Sequence, residues 1–376
     1  MRIVIATDKF KHSLSSFEVC DAIEAGFNRA SKSFHIQKLP LADGGDGLGE
    51  VLNYYGSFKK IPIVVNNPLF QPVEAYLLAA PDNSLCFIEM AQASGLHLLK
   101  REEYNCAETT SFGTGQMIAE AVALGCKKII LGIGGSATND CGMGMAAALG
   151  YKFLDSNDKD LQPIGRNLIH VHKIDASHKL ALDGTEIQIA CDVTNYLTGD
   201  AGATKMYGPQ KGADHQMLED LETGMIHFAS VLKRDLGVDV TTIKGGGAAG
   251  GMGAGGVAFL DANLVGGAEL IFQISKAEEQ IVQADLVITG EGRIDDQTLQ
   301  GKLVFAVAEL CRKHNKPLIA VCGTLEIGLD QLKQSGITAA FSIINKPMDL
   351  DEAFAHAKSL LEDTSYNLAQ LLLAQH

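Results

Sequence analysis

At 376 residues the chain exceeds one ordinary core, so two domains are expected. Its formal net charge of −14 excludes nucleic acid as the expected partner, because phosphates demand a basic surface, yet admits a small anion in a local basic pocket. Hydrophobic residues make up 46%, enough for burial, and forty glycines without a tryptophan point to loops that approach ligand or backbone closely.

In chain order, residues 2–6 read as a buried strand ending in Thr7-Asp8-Lys9. Their apolar core is too short for a signal peptide, and no apolar stretch reaches membrane-spanning length. Residues 14–19 predict a helix start: Ser15 caps the Glu18 amide, Glu18 reaches back, and Leu14 staples onto Val19. A strand over 35–39 leads into Asp43-Gly44-Gly45-Asp46-Gly47, followed by a short helical segment over 48–55. Residues 60–80 alternate around Asn66-Asn67-Pro68, which predicts antiparallel hairpins rather than βα units. A strand over 85–90 carries Glu89, and a helix is expected within 109–124.

The strand over 128–133 opens into Gly134-Gly135-Ser136-Ala137-Thr138-Asn139-Asp140 and a small glycine-rich helix over 142–148. Residues 187–190 form a strand ending at Cys191-Asp192. Residues 199–212 read as an irregular polar loop and 217–236 as a long amphipathic helix; 245–256 is the most glycine-dense run. From residue 275 a βα rhythm returns. A helix over 277–284 precedes a strand over 286–288. That strand breaks into a sharp turn at Thr289-Gly290-Glu291-Gly292 and a polar loop through Arg293, Asp295, Asp296, Thr298 and Lys302. Strands over 317–321 and 339–343 and a final helix from residue 350 complete the chain.

Regular βα units occupy both ends and the middle lacks them. The expected fold is α/β: a discontinuous flavodoxin-like parallel-sheet domain, residues 1–60 plus 270–376, with a larger inserted α+β domain over 61–269. The active site is expected in the cleft between the two. The eight cysteines form no CxxC pair and lie mostly in apolar runs. They read as reduced core residues of a cytoplasmic protein rather than disulfides or a zinc site. His12, His97 and His215 have no spaced partners for a metal.

Five polar loops follow predicted strands and carry acids, amides and hydroxyls, the inventory that phosphoryl transfer needs. Asp8-Lys9 is either a solvated turn or functional. Asp43 and Asp46 sit three apart on a glycine loop, as metal ligands or base. The 134–140 loop is no Walker A, since no Lys follows its glycines, but its amides and Ser136 suit phosphate; helix capping by Asn139 or Asp140 is the competing reading. Asp192 suits metal or proton chemistry, or simply a turn. The 245–256 run is explained by phosphate binding or by close packing. Arg293 is one of seven arginines and sits inside a candidate loop, so a bidentate grip on a substrate carboxylate points to it first; surface ion pairing competes.

The segments ATDKFKHSLSS, PLADGGDG, GIGGSATNDCGMGMAAALG, CDVTN with YGPQKGA, GGGAAGGMGAG and DLVITGEGRIDDQTLQGK occur in this order. Together they resemble the bacterial glycerate kinase family, of the type related to the glycerate 2-kinases of glycolate, glucarate and galactarate breakdown. The resemblance runs almost end to end. It implies transfer of phosphate from ATP, with Mg2+, to D-glycerate, giving 2-phosphoglycerate. Under it Asp43, Asp46 or Asp192 supply base and metal ligands, with Glu291 a further ligand. Lys9 and Lys302 counter phosphate charge. Gly44, Gly45, Gly134, Gly135 and Ser136 cradle phosphate or nucleotide, and Arg293, Asp295 and Thr298 hold the glycerate. The Asp295-Asp296 pair stands where many relatives carry one acid, so which of the two acts stays open. No nucleic acid or membrane partner is expected, and a homodimer is compatible with the sequence. The competing classes are a flavodoxin-like nucleotide-dependent oxidoreductase and a two-lobed ligand-binding protein without catalysis.

Overall fold

The computed structural model of the protein describes residues 1–42, 48–182, 184–295 and 303–374, without the side chains of Leu48 and Leu329. The chain divides into two compact units, Met1–Tyr55 with Gly267–His376, and Gly56–Gly266. We call them the terminal and the central unit.

The terminal unit is built on a parallel sheet whose inner strands are apolar and buried on both faces, while its edge strands are partly exposed. Its strands are Arg2–Thr7, His35–Pro40, Leu286–Ile294, Leu318–Leu325 and Ala339–Ser342, and every neighbouring pair runs parallel. Ranked along the chain, their spatial order is 2-1-3-4-5, the flavodoxin-like arrangement. Ile3, Ile5, Leu286, Ile288 and Val321 form one core with Val19, Ile23 and Phe27 of the helix Ser16–Ala30 and with Leu360 and Leu361 of the helix Leu350–Leu373. Burying a side chain such as Phe27 contributes roughly 2–3 kcal/mol. The capping box forms: Ser15 Oγ accepts from the Glu18 amide at 3.3 Å, and the Ser15 amide donates to Glu18 Oε2 at 2.8 Å.

The sharp turn expected at Thr289-Gly290-Glu291-Gly292 is absent. The strand runs on to Ile294, and Arg293 and Ile294 pair with Thr324 and Leu325. The glycines serve close approach instead. A Cβ on Gly290 would stand 2.4 Å from Val321 O, so only glycine lets the two strands sit side by side there.

The central unit carries a six-stranded mixed sheet in the order Asn263–Val265, Glu186–Ala190, Lys128–Gly132, Leu85–Glu89, Pro72–Ala79, Lys59–Asn66. The first four strands are parallel and the last two add the antiparallel hairpin that residues 60–80 predict. Its core includes Ile88, Ile129, Leu131, Met117, Phe153, Phe228 and Phe259. Among the described residues, no helix is long and apolar enough to cross a membrane.

Two further expectations are corrected here. Cys86 and Cys126 are bonded to each other, so not every cysteine is a reduced core residue. Cys86 lies in the strand Leu85–Glu89 and Cys126 just ahead of its neighbour Lys128–Gly132, which sets their Cα atoms 6.0 Å apart. Nor is 199–212 irregular throughout. It folds into the helix Ala203–Tyr207 and the 3-10 turn Pro209–Lys211, because Thr204 and Lys211 are drawn into the interior.

The glycine-dense run forms the helix Ala248–Leu260, with Ala249, Gly250 and Gly251 in left-handed conformation. Here close packing prevails over a ligand loop. The Cys141 amide donates to Gly250 O at 3.0 Å, and a Cβ on Gly250 would stand 1.9 Å from Thr138 O. Gly250→Ala, strained at φ 69° and clashing with backbone, is expected to destabilise the protein by about 3 kcal/mol or more, measured by urea denaturation.

Candidate functional site

In open α/β sheets, ligands bind beyond the carboxyl ends of the strands where the strand order reverses. In the terminal unit that point lies between Arg2–Thr7 and Leu286–Ile294, where Thr7 pairs with Gly290. The Asp8 amide donates to Gly290 O at 3.0 Å, which sets Asp8, just past its own strand, beside Glu291, which lies within Leu286–Ile294 and pairs with Cys322. Asp8 is buried, and its Oδ1 accepts from the Lys9 amide at 2.7 Å. Glu291 also lies near the buried Cys322, whose thiol is pushed up to about 12, first by burial and then by that carboxylate.

Of the residues expected to act here, Lys9 follows the end of Arg2–Thr7 and Glu291 lies within the neighbouring strand. Arg293 lies two positions along the strand and points its guanidinium at acids: its Nη2 bonds to Glu326, and its Nε stands 3.4 Å from Asp295 Oδ2. The Arg293 side chain is 61% exposed, so these pairs are weak and exchangeable. Asp43, Gly44, Gly45, Asp46, Asp296, Thr298 and Lys302 lie outside the described residues.

In the central unit the strand Lys128–Gly132 ends in the 133–140 loop, and its neighbour Glu186–Ala190 ends at Asp192. Gly134, Gly135 and Asp192 are exposed. The Leu96 amide donates to Gly135 O, and the Ala137 amide to Ser94 O, both at 2.9 Å, so the loop is held through its carbonyl side and its own far end. The amides of Gly134, Gly135 and Ser136 donate to no described residue. A Cβ on Gly134 would meet nothing within 4 Å, and one on Gly135, at φ 70°, only the Ala91 Cβ at 3.5 Å. Three successive donors, two on exposed glycines and one on Ser136 at 7% exposure, form the kind of surface that receives an anion.

The deeper part of the loop is withdrawn from water. Asp140 is fully buried. Its carboxylate accepts from the Ser111 amide at 2.8 Å, Ser111 Oγ at 2.7 Å, the Gly144 amide at 3.1 Å and the Gly142 amide at 3.2 Å. Burial raises its pKa above the ordinary carboxylate range while these donors pull the other way. Asp140 thus ties the start of the helix Phe112–Ala123 to that of Met143–Ala148, a wider role than capping one helix. Lys211, from a segment read as loop, is buried at 2% exposure against Ser136 and Thr138. Sequence reasoning did not single it out, although a lysine between glycines in YGPQKGA carried a signal: that segment has no acid to pair with it.

Among the described residues, no three carboxylate, imidazole or thiolate groups converge as a metal cage. Mg2+ does not require one, since it keeps several waters and takes one or two carboxylates plus substrate phosphate. A single exposed carboxylate past a strand end, such as Asp192, suits that coordination.

Comparison with known proteins then extends the picture. The model of the glycerate kinase family matches residues 3–373. The chain is 43% identical to the glycerate kinase of Halalkalibacterium halodurans over 369 residues, 98% of this chain and 97% of that one. It is 43% identical to the glycerate 2-kinase of Escherichia coli K12 over 373 residues, 99% and 98% of the two chains. A crystal structure described as a glycerate kinase 2 from Salmonella typhimurium LT2 superposes with a TM-score of 0.89 at 42% identity, covering 100% of this chain and 99% of that one.

Loss of the Asp140 carboxylate leaves several buried donors without an acceptor. Asp140→Ala is therefore expected to cost about 3 kcal/mol or more, read as a lowered midpoint in urea at unchanged slope.

Proposed function

This chain belongs to the glycerate kinase family, and on that premise we propose that it transfers the γ-phosphate of ATP to D-glycerate, giving 2-phosphoglycerate and ADP. The observation that carries the reading is the 134–136 loop: three amides without a described acceptor just past a strand end, two of them on exposed glycines, with Asp192 just past the end of the adjacent strand. Kinship over the whole chain with kinases leaves the oxidoreductase and binding-protein alternatives unsupported. The position of transfer follows the name of the E. coli relative.

In this reading Gly134, Gly135 and Ser136 bind phosphate oxygens through N–H and O–H donors that are already in place, so little reorganisation accompanies the build-up of charge. Asp192, exposed at its strand end, takes the proton of the reacting glycerate hydroxyl, with Asp43 as the second candidate base. Lys9 and Lys302 balance phosphate charge, and Gly44 and Gly45 give their backbone to the nucleotide. Arg293 exchanges Glu326 for the glycerate carboxylate, with Asp295 and Thr298 completing the glycerate site. Mg2+, held by one or two of Asp46, Asp192 and Glu291, supplies neutralisation of phosphate charge. A cytoplasmic location belongs to the same reading.

The test is release of ADP from MgATP on addition of D-glycerate, with the product offered directly to enolase to establish that the phosphate is on O2. Absence of glycerate-dependent ADP release overturns the proposal. Asp192→Asn is expected to lower kcat by about 10²-fold or more with the protein still folded. A near-normal kcat would pass the role of base to Asp43, which Asp43→Asn examines in the same assay.

A further inference from the structure

Lys211 stands on the turn Pro209–Lys211 with only 2% of its surface exposed. Its Nζ donates to Ser136 Oγ at 2.8 Å and to Thr138 O at 2.7 Å. Both partners are neutral, and no carboxylate of a described residue reaches ion-pairing distance of the nitrogen. The charged or titratable groups that act on it are Asp140 and the Cys106 thiol. Asp140 is already engaged by Ser111, Gly142 and Gly144, and burial pushes the Cys106 thiol up to about 11, so that it stays neutral. A buried ammonium with two neutral acceptors is costly, and fold stability alone gives little reason to keep it.

The direction of the Lys211–Ser136 hydrogen bond determines what Ser136 offers. An ammonium has three donors and no acceptor, so Ser136 Oγ is the acceptor. The hydroxyl proton then points elsewhere, and it has no acceptor among the described residues. Ser136 therefore presents a donor, next to the donor amides of Gly134, Gly135 and its own backbone. Four donors with a positive charge behind them select a ligand that brings acceptor oxygens and negative charge.

We propose that Lys211 is a positioning residue for the anion received by the 134–136 loop: its ammonium fixes the hydroxyl of Ser136, itself only 7% exposed, as a donor and supplies the buried positive charge behind it. This rests on the reading of that loop as the phosphate cradle. Lys211 does not touch the anion; it acts through Ser136 and through its field. Desolvation lowers the Lys211 pKa to about 8, with Cys106 and Asp140 opposing. The cation is present below that pH and lost above it, so anion affinity falls as pH rises through about 8.

Sulfate, whose charge is constant over this range, probes the loop without turnover. It is expected to raise the Tm of the parent at pH 7 and to do so less at pH 9. In K211R the stabilisation is expected to be equal at both pH values, since guanidinium stays charged; in K211M and S136A it is expected to be largely lost. In the kinase assay K211M is expected to raise KM for MgATP roughly ten- to hundredfold, the loss of a charge-assisted hydrogen bond, while still melting cooperatively. Three results would overturn the proposal. One is sulfate stabilising a folded K211M as strongly as the parent. Another is parent stabilisation that is absent, or the same on both sides of pH 8. The third is a K211M with lowered Tm and unchanged KM, which is the mark of a purely structural lysine. If K211M does not fold, the parent pH series and S136A decide. If the parent lacks glycerate kinase activity while the sulfate series behaves as stated, the substrate reading falls and the assignment of Lys211 stands.

Discussion

Two charges withdrawn from water around one loop, one on it and one packed against it, are the constraint on which the central unit depends. Asp140 gathers donors from two helix starts, and Lys211 braces Ser136 and Thr138 from behind. Neither side chain would be tolerated singly in an apolar core, because an ion left without partners costs several kcal/mol. Each is tolerated because the backbone is bent to meet it. That bending in turn requires the glycines at 250 and 251, whose left-handed conformation lets the helix Ala248–Leu260 press against the same loop. Burial on one side leaves the other side fixed. Gly134 and Gly135 stand exposed just past the end of an inner strand, with the buried Ser136 behind them.

The terminal unit reaches a comparable result by topology rather than by buried charge. Its first strand lies between a neighbour from the same end of the chain and one from nearly three hundred residues later. The gap between the outgoing connections is where Asp8, Lys9 and Glu291 emerge. Glycine has a different task here. Gly290 brings two strands close enough to continue pairing past the point where a turn was expected, and this carries Arg293 beyond the strand core toward Glu326 and Asp295. In both units, then, the functional candidates lie at or near the carboxyl ends of parallel strands, with Glu291 and Arg293 still inside theirs.

Much of this was legible in the residues. The capping box at Ser15, the hairpins of residues 60–80 and the strand-end positions of Lys9, Ser136 and Asp192 depend on local pattern, and local pattern is what a sequence displays. The parallel-sheet character of the chain ends was readable for the same reason. What escaped depends on distant contacts. Thr289-Gly290-Glu291-Gly292 resembles a turn until Val321 lies alongside, and Cys86 and Cys126 look unrelated until adjacent strands bring them together. Lys211 passes for a surface lysine because burial of a charge contradicts its usual preference and no local spacing announces it. Asp43, Gly44, Gly45, Asp46, Thr298 and Lys302 rest on motif alone.

The late arrival of the Leu286–Ile294 strand also bears on how the protein is made. All six strands of the central sheet lie between Lys59 and Val265, so that sheet can close while the rest of the chain is still being synthesised. Arg2–Thr7 emerges first and finds His35–Pro40 at once, but its other edge stays unpaired until more than two hundred further residues have left the ribosome. At about 5–20 residues per second this lasts on the order of ten to fifty seconds. Throughout that interval the segment Ile3-Val4-Ile5-Ala6 is an apolar edge open to other chains. The strand Leu286–Ile294 thus closes that edge, and its own far edge is covered in turn by Leu318–Leu325.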